Sequence, residues 1–177
     1  MPEKPNKLRV SLISGVVIGL VSAIPGLNLI NCCCCAGIIL GGVLAVYLYK
    51  QEHTEGAPPM ESSDGLILGV TTGVVSAFCT TVLNLLIMSL FGDVASEFMR
   101  SFTEQILEQA NLPPETIDQL RSQIDASMAE ATTFMGVMKE LLFNLLIHPL
   151  FAMLGGLIGY SIFKPKKPVE FNPTPGR

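Results

Sequence analysis

The stretch that decides the fold is VSLISGVVIGLVSAIPGLNLINCCCCAGIILGGVLAVYLY at positions 10–49, which contains no charged residue. About 20 helical residues cross a hydrocarbon core of about 30 Å, so this run is long enough for two membrane spans. A Pro-Gly pair at positions 25–26 lies near its middle, and these residue types end helices and form turns. The first 50 residues therefore predict a transmembrane hairpin with spans at about 8–27 and 32–49.

Two further runs without charge follow, at positions 65–92 and 141–163, and each is long enough for one more span. Charged residues make up only 15% of the 177 residues, against roughly 25% in soluble proteins. This composition excludes a disordered chain, a basic nucleic-acid-binding domain and a highly charged soluble enzyme. In hydrocarbon, backbone polar groups find their partners within helices. We therefore predict an all-α fold, a polytopic transmembrane four-helix bundle.

A cleaved signal peptide is the alternative explanation of the first apolar run. Positions 1–9 form a charged leader, and the Val-Ser-Ala at 21–23 loosely resembles a cleavage site. However, the apolar run continues well beyond that site, and its first half has an internal copy. These two observations favour a membrane span that is retained.

The internal copy is one part of a repeat. Positions 15–23 (GVVIGLVSA) align with 69–77 (GVTTGVVSA), and positions 40–50 (LGGVLAVYLYK) align with 154–164 (LGGLIGYSIFK). The first span thus resembles the third, and the second resembles the fourth. Since each half has two spans, the sequence predicts two parallel helical-hairpin repeats related by a pseudo-twofold axis along the membrane normal.

Small residues recur four apart in these spans and predict the surfaces on which the helices pack. Lipid tails are as apolar as leucine, so close approach of backbones across small residues is what holds membrane helices together. The predicted packing positions are Gly15, Gly19, Gly41, Gly69, Gly73 and Gly155.

The positive charges predict the orientation. Eight of the 11 Lys and Arg residues lie in the N-terminal leader, at Lys50 and in the tail 164–177, and three lie in the segment 93–140. Cytoplasmic flanks carry the excess of positive charge. Both termini are therefore expected in the cytoplasm, together with the acidic loop 51–64 and the basic tail.

The segment 93–140, an insertion before the fourth span, then lies outside and is acidic. Val94, Phe98, Phe102, Ile106 and Ala110 form one apolar stripe, and Ile117, Leu120, Ile124 and Met128 form a second. The Leu-Pro-Pro at 112–114 separates the two predicted amphipathic helices. They suggest a cap lying on the bundle or in the headgroup layer, or a dimer contact; recognition of a ligand or partner is the alternative. Because membrane-surface helices usually carry Lys and Arg, the acidic face disfavours anionic lipid.

His148 is the one His, Asp, Glu, Lys or Arg residue inside the three uncharged runs, and an ionisable residue within a span is by default a functional hypothesis. Asn144 lies four residues earlier, and Thr72, Ser76 and Thr80 are four apart in the third span. These residues predict a polar track in which His148 carries a proton or binds a ligand. The alternative is structural, because Pro149 disturbs the preceding turn and leaves backbone carbonyls that nearby polar groups satisfy.

The other residues that could carry chemistry give little indication of a function. The four consecutive cysteines at 32–35 have poor spacing for a metal ion, since zinc ligands are usually two to four residues apart. We interpret them as small apolar packing residues, with redox function and lipidation as alternatives. The sequence contains no nucleophile elbow, phosphate loop or dinucleotide fingerprint. We therefore predict no enzyme activity, no cofactor, no metal and no nucleic-acid partner.

Three segments are similar to those of small uncharacterised bacterial four-span integral membrane proteins, catalogued as a domain of unknown function. They are the motif at 69–77, the Glu/Gln-rich segment at 102–109 and the Gly-Gly-Leu-Ile-Gly at 155–159. The cysteine run is not a feature of that group. The resemblance implies four spans and a prokaryotic cell (inner) membrane, and it implies no activity.

Two functions stay open from the sequence. The first is a non-catalytic structural or regulatory membrane component, whose partners are the lipid bilayer and either a second copy or another membrane protein. The second is a small transporter or channel that uses the polar track. A hollow interior reaching His148 would favour transport, and a dry bundle would favour the first function.

Overall fold

The computed structural model describes residues 4–24, 35–53, 57–109, 113–131 and 133–164. These residues form α1 (Lys7–Ala23), α2 (Ala36–Gln51), α3 (Ser62–Gln109), α4 (Pro114–Ala131) and α5 (Phe134–Phe163). Within the described ranges there is no strand, so the predicted all-α class is confirmed. The predicted turn at 25–31, Cys32 to Cys34 at the start of the predicted second span, and the tail beyond 164 lie outside the described residues.

Four of the helices, α1, α2, α3 and α5, pack as a bundle. Bundle helices that follow one another in the chain run in opposite directions. α1 and α3 run parallel, because Ser11 lies against Leu68 while Gly19, further along α1, lies against Cys79. α5 runs antiparallel to α3, with its C-terminal half beside the start of α3. Gly65 faces Tyr160 as a consequence.

α2 completes the bundle between α1 and α5. It is parallel to α5, because Gly155 lies against Ile39 and Gly159 lies against Val46. It contacts α1 where Gly41 faces Ile18. The helical bundle predicted from the uncharged runs is therefore present, with α1 and α2 on one side and α3 and α5 on the other.

The helix ends differ from the predicted spans in ways that local interactions explain. α5 begins at Phe134, seven residues before the predicted position 141, because the Thr133 hydroxyl accepts a hydrogen bond from the Gly136 N–H at 3.1 Å and caps the helix. α3 continues past position 92 into the insertion, interrupted only by a kink with non-helical angles at Phe91. The first helix of the predicted insertion is thus the distal half of α3.

Two described segments, Ser62–Gly92 and Phe134–Phe163, are long and apolar enough to cross a membrane. Ala36–Gln51 is apolar but shorter. Buried apolar side chains form two small clusters, one around Val46 and Tyr49 and one around Ile38 and Ala152. Most large apolar side chains of the bundle instead face outward.

A buried carboxylate fixes the N-terminal leader to the start of α3. Asp64 is only 2% exposed and accepts hydrogen bonds from the Glu61 N–H at 2.8 Å and from the Lys4 ammonium at 3.2 Å. Its second oxygen lies 2.6 Å from the Lys7 ammonium. The carboxylate thus caps α3 and holds two cations of the leader at the same end of the bundle.

We expect the Lys7–Asp64 pair to stabilise the fold measurably. A double-mutant cycle with Lys7→Met and Asp64→Asn, followed by denaturant unfolding in detergent, is expected to give a coupling within about 0.5–3 kcal/mol, because the carboxylate is shielded from water. The exposed pair Arg9–Glu52, separated by 3.7 Å, is the control, and its coupling is expected at about 0.2–1 kcal/mol or less. Equal coupling for the two pairs would contradict this interpretation of Asp64.

Candidate functional site

Polar side chains form a column inside the bundle, where α3 faces α1 and α5. We call it the polar column. α3 contributes three of its members at four-residue spacing, which places them on one helix face. The members are Ser11 and Ser14 of α1, Thr72, Ser76, Thr80 and Thr81 of α3, and Asn144 and His148 of α5.

The centre of the column is a hydrogen bond between the Ser76 hydroxyl and Nδ1 of His148, at 2.9 Å. Ser76 is 0% exposed and His148 is 5% exposed. Gly73 makes this approach of α3 and α5 close enough, because it lies directly against the His148 carbonyl and Pro149. Of the sequence-predicted site residues, His148 and Ser76 are therefore in direct contact.

Asn144 extends the column towards the end of the bundle that lies opposite Asp64. Its amide donates to the Thr81 hydroxyl at 3.1 Å and to a Glu140 oxygen at 3.5 Å. The same Glu140 oxygen accepts a hydrogen bond from the Asn84 amide at 2.7 Å. The column thus ends in a carboxylate held by two amides.

Glu140 is a member of this site that sequence reasoning missed. The charge of Glu140 marks the start of an uncharged run, so the sequence places it only among the acidic residues of the segment 93–140, at the boundary of the fourth span. The signal that would have found it is spacing, since Glu140, Asn144 and His148 are four apart and share one face of α5.

The α1 side of the column is only partly hydrogen-bonded. The Ser11 hydroxyl lies 2.7 Å from that of Thr71, and Thr80 donates to the Gly19 carbonyl at 3.5 Å. Within the described part of the chain, the buried hydroxyls of Ser14 and Thr72 have no hydrogen-bond partner. The predicted track residues Thr72 and Thr80 therefore line the column, but neither contacts His148 through a hydrogen bond.

The column is closed in this structure. Ser11, Ser14 and Ser76 have no accessible surface, so no space the size of a water molecule adjoins them. Hydroxyls and an imidazole are able to hold or pass a proton, but a conducting path needs water or an unbroken hydrogen-bonded chain. At Ser11, Ser14 and Ser76 the packing leaves no room for such water.

The six predicted packing glycines all lie where helices approach. Gly15 and Gly19 of α1 face Val75 and Cys79 of α3. The other four lie against neighbouring helices: Gly69 and Gly73 against α5, Gly41 against α1, and Gly155 against α2. The polar column thus lies between two helix contacts that are built on glycine.

Metal ligands do not gather anywhere in the described ranges. No group of three or more His, Cys, Asp or Glu side chains among these residues is placed to hold an ion. Of the cysteine run, only Cys35 is described, and it has a left-handed φ of 56° immediately before α2.

Comparison of the chain with protein families, curated proteins and solved structures found no match. The resemblance to bacterial four-span proteins therefore stays a prediction. The assignment of function depends on the chain's own geometry.

Proposed function

We propose that this chain is a non-catalytic structural or regulatory component of a prokaryotic cell membrane, which it crosses four times with both termini in the cytoplasm. The observation that carries the proposal is the inverted distribution of polarity. Hydroxyls, an imidazole and a buried carboxylate share the interior with two small apolar clusters, whereas most of the large Leu, Ile, Val and Phe side chains face outward.

The degree of burial supports lipid as the surroundings. In the most apolar 18-residue stretch of Ser62–Gly92, and likewise in that of Phe134–Phe163, only 22% of the stretch is buried. A core helix of a soluble protein has similar composition but is covered by its neighbours. Apolar faces that remain uncovered over such lengths mark contact with a membrane or a protein partner, and the helix lengths fit a bilayer.

The helix directions support two parallel hairpin repeats. α1 and α3, which carry the first repeated motif, run parallel, and so do α2 and α5, which carry the second. The contacts of the two copies are not equivalent, because Gly15 packs on α3 whereas its counterpart Gly69 packs on α5. We therefore propose a duplication in which the two copies have since acquired different contacts.

The charges support the orientation. Lys4 and Lys7 lie with Asp64 at one end of the bundle, and Arg9 with Glu52 at the same end. Such a positively flanked end is typical of the cytoplasmic side.

Epitope tags on the two tails test this topology. In spheroplasts of a bacterial host, both tags are expected to resist added protease until the cells are lysed. A matched tag inserted between Pro113 and Pro114, in the acidic segment, is expected to be cleaved without lysis. Tags that report from opposite compartments would contradict the proposal, as would recovery of the chain from the aqueous fraction without detergent.

A small transporter or channel is the second candidate. The observation that favours it is the alignment of His148, Asn144 and Glu140 on one face of α5 along the polar column. Because the column is closed, this function requires a second, open conformation. A proton flux into liposomes containing the protein, abolished by His148→Ala, would establish it.

A further inference from the structure

We propose that the end of the polar column opposite Asp64 binds a sodium ion. The ligands are side-chain oxygens of four residues, Thr81, Asn84, Glu140 and Asn144, which we call the Glu140 site. The sequence predicted no metal, and the described residues lack a cluster of His, Cys, Asp and Glu for a transition metal. Hard cations bind oxygen ligands instead. The inference goes beyond the proposed structural role, and it rests on the proposed membrane location only for the side from which the ion enters.

Two helices bring the four side chains of the Glu140 site together. Residues 81 and 84 of α3 are three apart and residues 140 and 144 of α5 are four apart, so each pair shares one helix face. One oxygen of Glu140 lies 2.7 Å from the Asn84 amide nitrogen and 3.5 Å from that of Asn144. The same Asn144 nitrogen lies 3.1 Å from the hydroxyl of Thr81, which is only 4% exposed. The site is thus a compact set of polar groups between two helices.

The Glu140 carboxylate has no cationic partner among the described residues. The neighbouring Lys139 pairs with Glu130, and none of the ion pairs within the described part of the chain includes Glu140. Asp64, at the other end of the bundle, instead contacts two lysines at 2.6 and 3.2 Å. A carboxylate that is partly removed from water needs a compensating charge. The chain supplies that charge at Asp64 and leaves it to a ligand at Glu140.

The two amides are able to supply oxygen ligands. A terminal amide carries a carbonyl oxygen and an NH2 group on one planar group. When the Asn84 and Asn144 amides turn by half a rotation, their oxygens take the places of the nitrogens that now face Glu140. Oxygens so close to a carboxylate repel one another unless a cation lies between them. The carboxylate, the two amides and the Thr81 hydroxyl then surround the ion with oxygen.

The charge and size of the Glu140 site favour sodium. Affinity for a divalent ion such as Ca²⁺ rises with the number of charged ligands, and this site has a single carboxylate. Zinc prefers nitrogen and sulfur ligands, and His148 is about 12 Å from Glu140 along α5 at 1.5 Å per residue. The polar groups lie only 2.7 to 3.5 Å apart, which suits a small ion better than the larger potassium.

The position along α3 gives the ion a way in from water. Asn84 follows Asp64 by 20 residues, and the kink at Phe91 lies beyond this stretch. The distance is about 30 Å at 1.5 Å per residue, which matches the thickness of the hydrocarbon core. With Asp64 at the cytoplasmic border, as proposed, Glu140 lies at the opposite border. The ion is therefore expected to enter from the outer aqueous phase.

Binding of radioactive sodium to the purified protein in detergent tests the site without requiring a membrane. We expect saturable binding of about one ion per chain, displaced by unlabelled NaCl and unaffected by choline chloride. Glu140→Gln is expected to weaken it at least about tenfold, because this change removes the only full charge of the site. Glu130→Gln is the matched control, since it removes an exposed carboxylate outside the site, and it is expected to bind like the wild type.

Thermal unfolding distinguishes lost binding from lost folding. A bound ion raises Tm by mass action, so the wild type is expected to unfold at a higher temperature in NaCl than in choline chloride of equal ionic strength. Glu140→Gln is expected to unfold cooperatively and to lose this difference. Thr81→Val keeps the carboxylate and the shape of the side chain, and it provides a second test in case Glu140→Gln does not fold. It is expected to weaken sodium binding while leaving a cooperative transition.

The results separate the site from the proposed topology. Absence of saturable sodium binding to the folded wild type would overturn the site, as would binding that Glu140→Gln leaves unchanged. Displacement by KCl or CaCl2 at lower concentration than by NaCl would overturn sodium as the ligand. Sodium binding in detergent, combined with tail tags that report from opposite compartments, would reject the topology and leave the site in place.

Discussion

Replacing Gly73 by leucine is expected to separate α3 from α5 and to unfold the bundle in detergent. A Cβ atom added at Gly73 would lie 2.6 Å from the His148 carbonyl oxygen and 2.6 Å from the Pro149 nitrogen. Both are backbone atoms, so no side chain is able to rotate away. Even Gly73→Ala is expected to cost about 1–3 kcal/mol, the usual cost of overpacking, and leucine more.

The measurement is the thermal unfolding midpoint of the purified protein in mild detergent. A loss of 1 kcal/mol lowers Tm by roughly 2–4 °C in a chain of this length, so the alanine variant is already resolvable. Gly92→Leu is the matched control, because it changes a glycine of the same helix where an added Cβ meets nothing within 4 Å. Wild-type Tm in Gly73→Leu, or an equal loss in Gly92→Leu, would contradict the assigned contact.

The Ser76–His148 hydrogen bond is expected to show strong non-additivity. His148→Leu leaves the fully buried Ser76 hydroxyl without its partner, and Ser76→Ala leaves Nδ1 of His148 without one. Each single change is expected to cost about 1–3 kcal/mol in the free energy of unfolding, because an unsatisfied buried polar group keeps its full desolvation penalty. The double variant removes both partners and is expected to recover most of that loss.

Ser14→Ala is the control for the double-mutant cycle. The Ser14 hydroxyl is buried and has no hydrogen-bond partner among the described residues, so its removal is expected to leave stability unchanged or to raise it. Additive losses in the Ser76/His148 cycle would show that the two side chains are not coupled.

The same double variant separates the two candidate functions. If His148 is purely structural, cells or liposomes carrying the stable double variant behave like those with the wild type. If His148 carries protons, the double variant folds but has lost the flux, because no titratable group remains in the centre of the column.

The helices were predictable because the absence of charge from a long apolar run is a property of each segment separately. The runs around positions 10–49, 65–92 and 141–163 needed no information about neighbours. Helix ends were less predictable, since they depend on single hydrogen bonds such as the Thr133 cap and on a kink at Phe91 that no proline marks.

The candidate site was predictable by helix face and not by contact. Four-residue spacing grouped Thr72, Ser76 and Thr80, and separately Asn144 and His148. Which of these residues are in contact depends on the axial position of α3 relative to α5. Gly73 permits the observed position, but residue spacing within one helix does not encode it. Glu140 was missed for a related reason, because a charge at the end of an apolar run has the same appearance in sequence whether it is solvated or held by two amides.

The unequal lengths of the bundle helices have a consequence for the bilayer in which we propose that the chain lies. α1 and α2 have 17 and 16 residues and are therefore about 25 and 24 Å long, whereas the 31 residues of Ser62–Gly92 extend about 46 Å at 1.5 Å per residue. In a hydrocarbon layer of about 30 Å, the lipid beside the short pair has to thin, while beside the long pair it does not. Such one-sided hydrophobic mismatch favours thinner regions of a membrane, or a neighbouring protein that shields the short side.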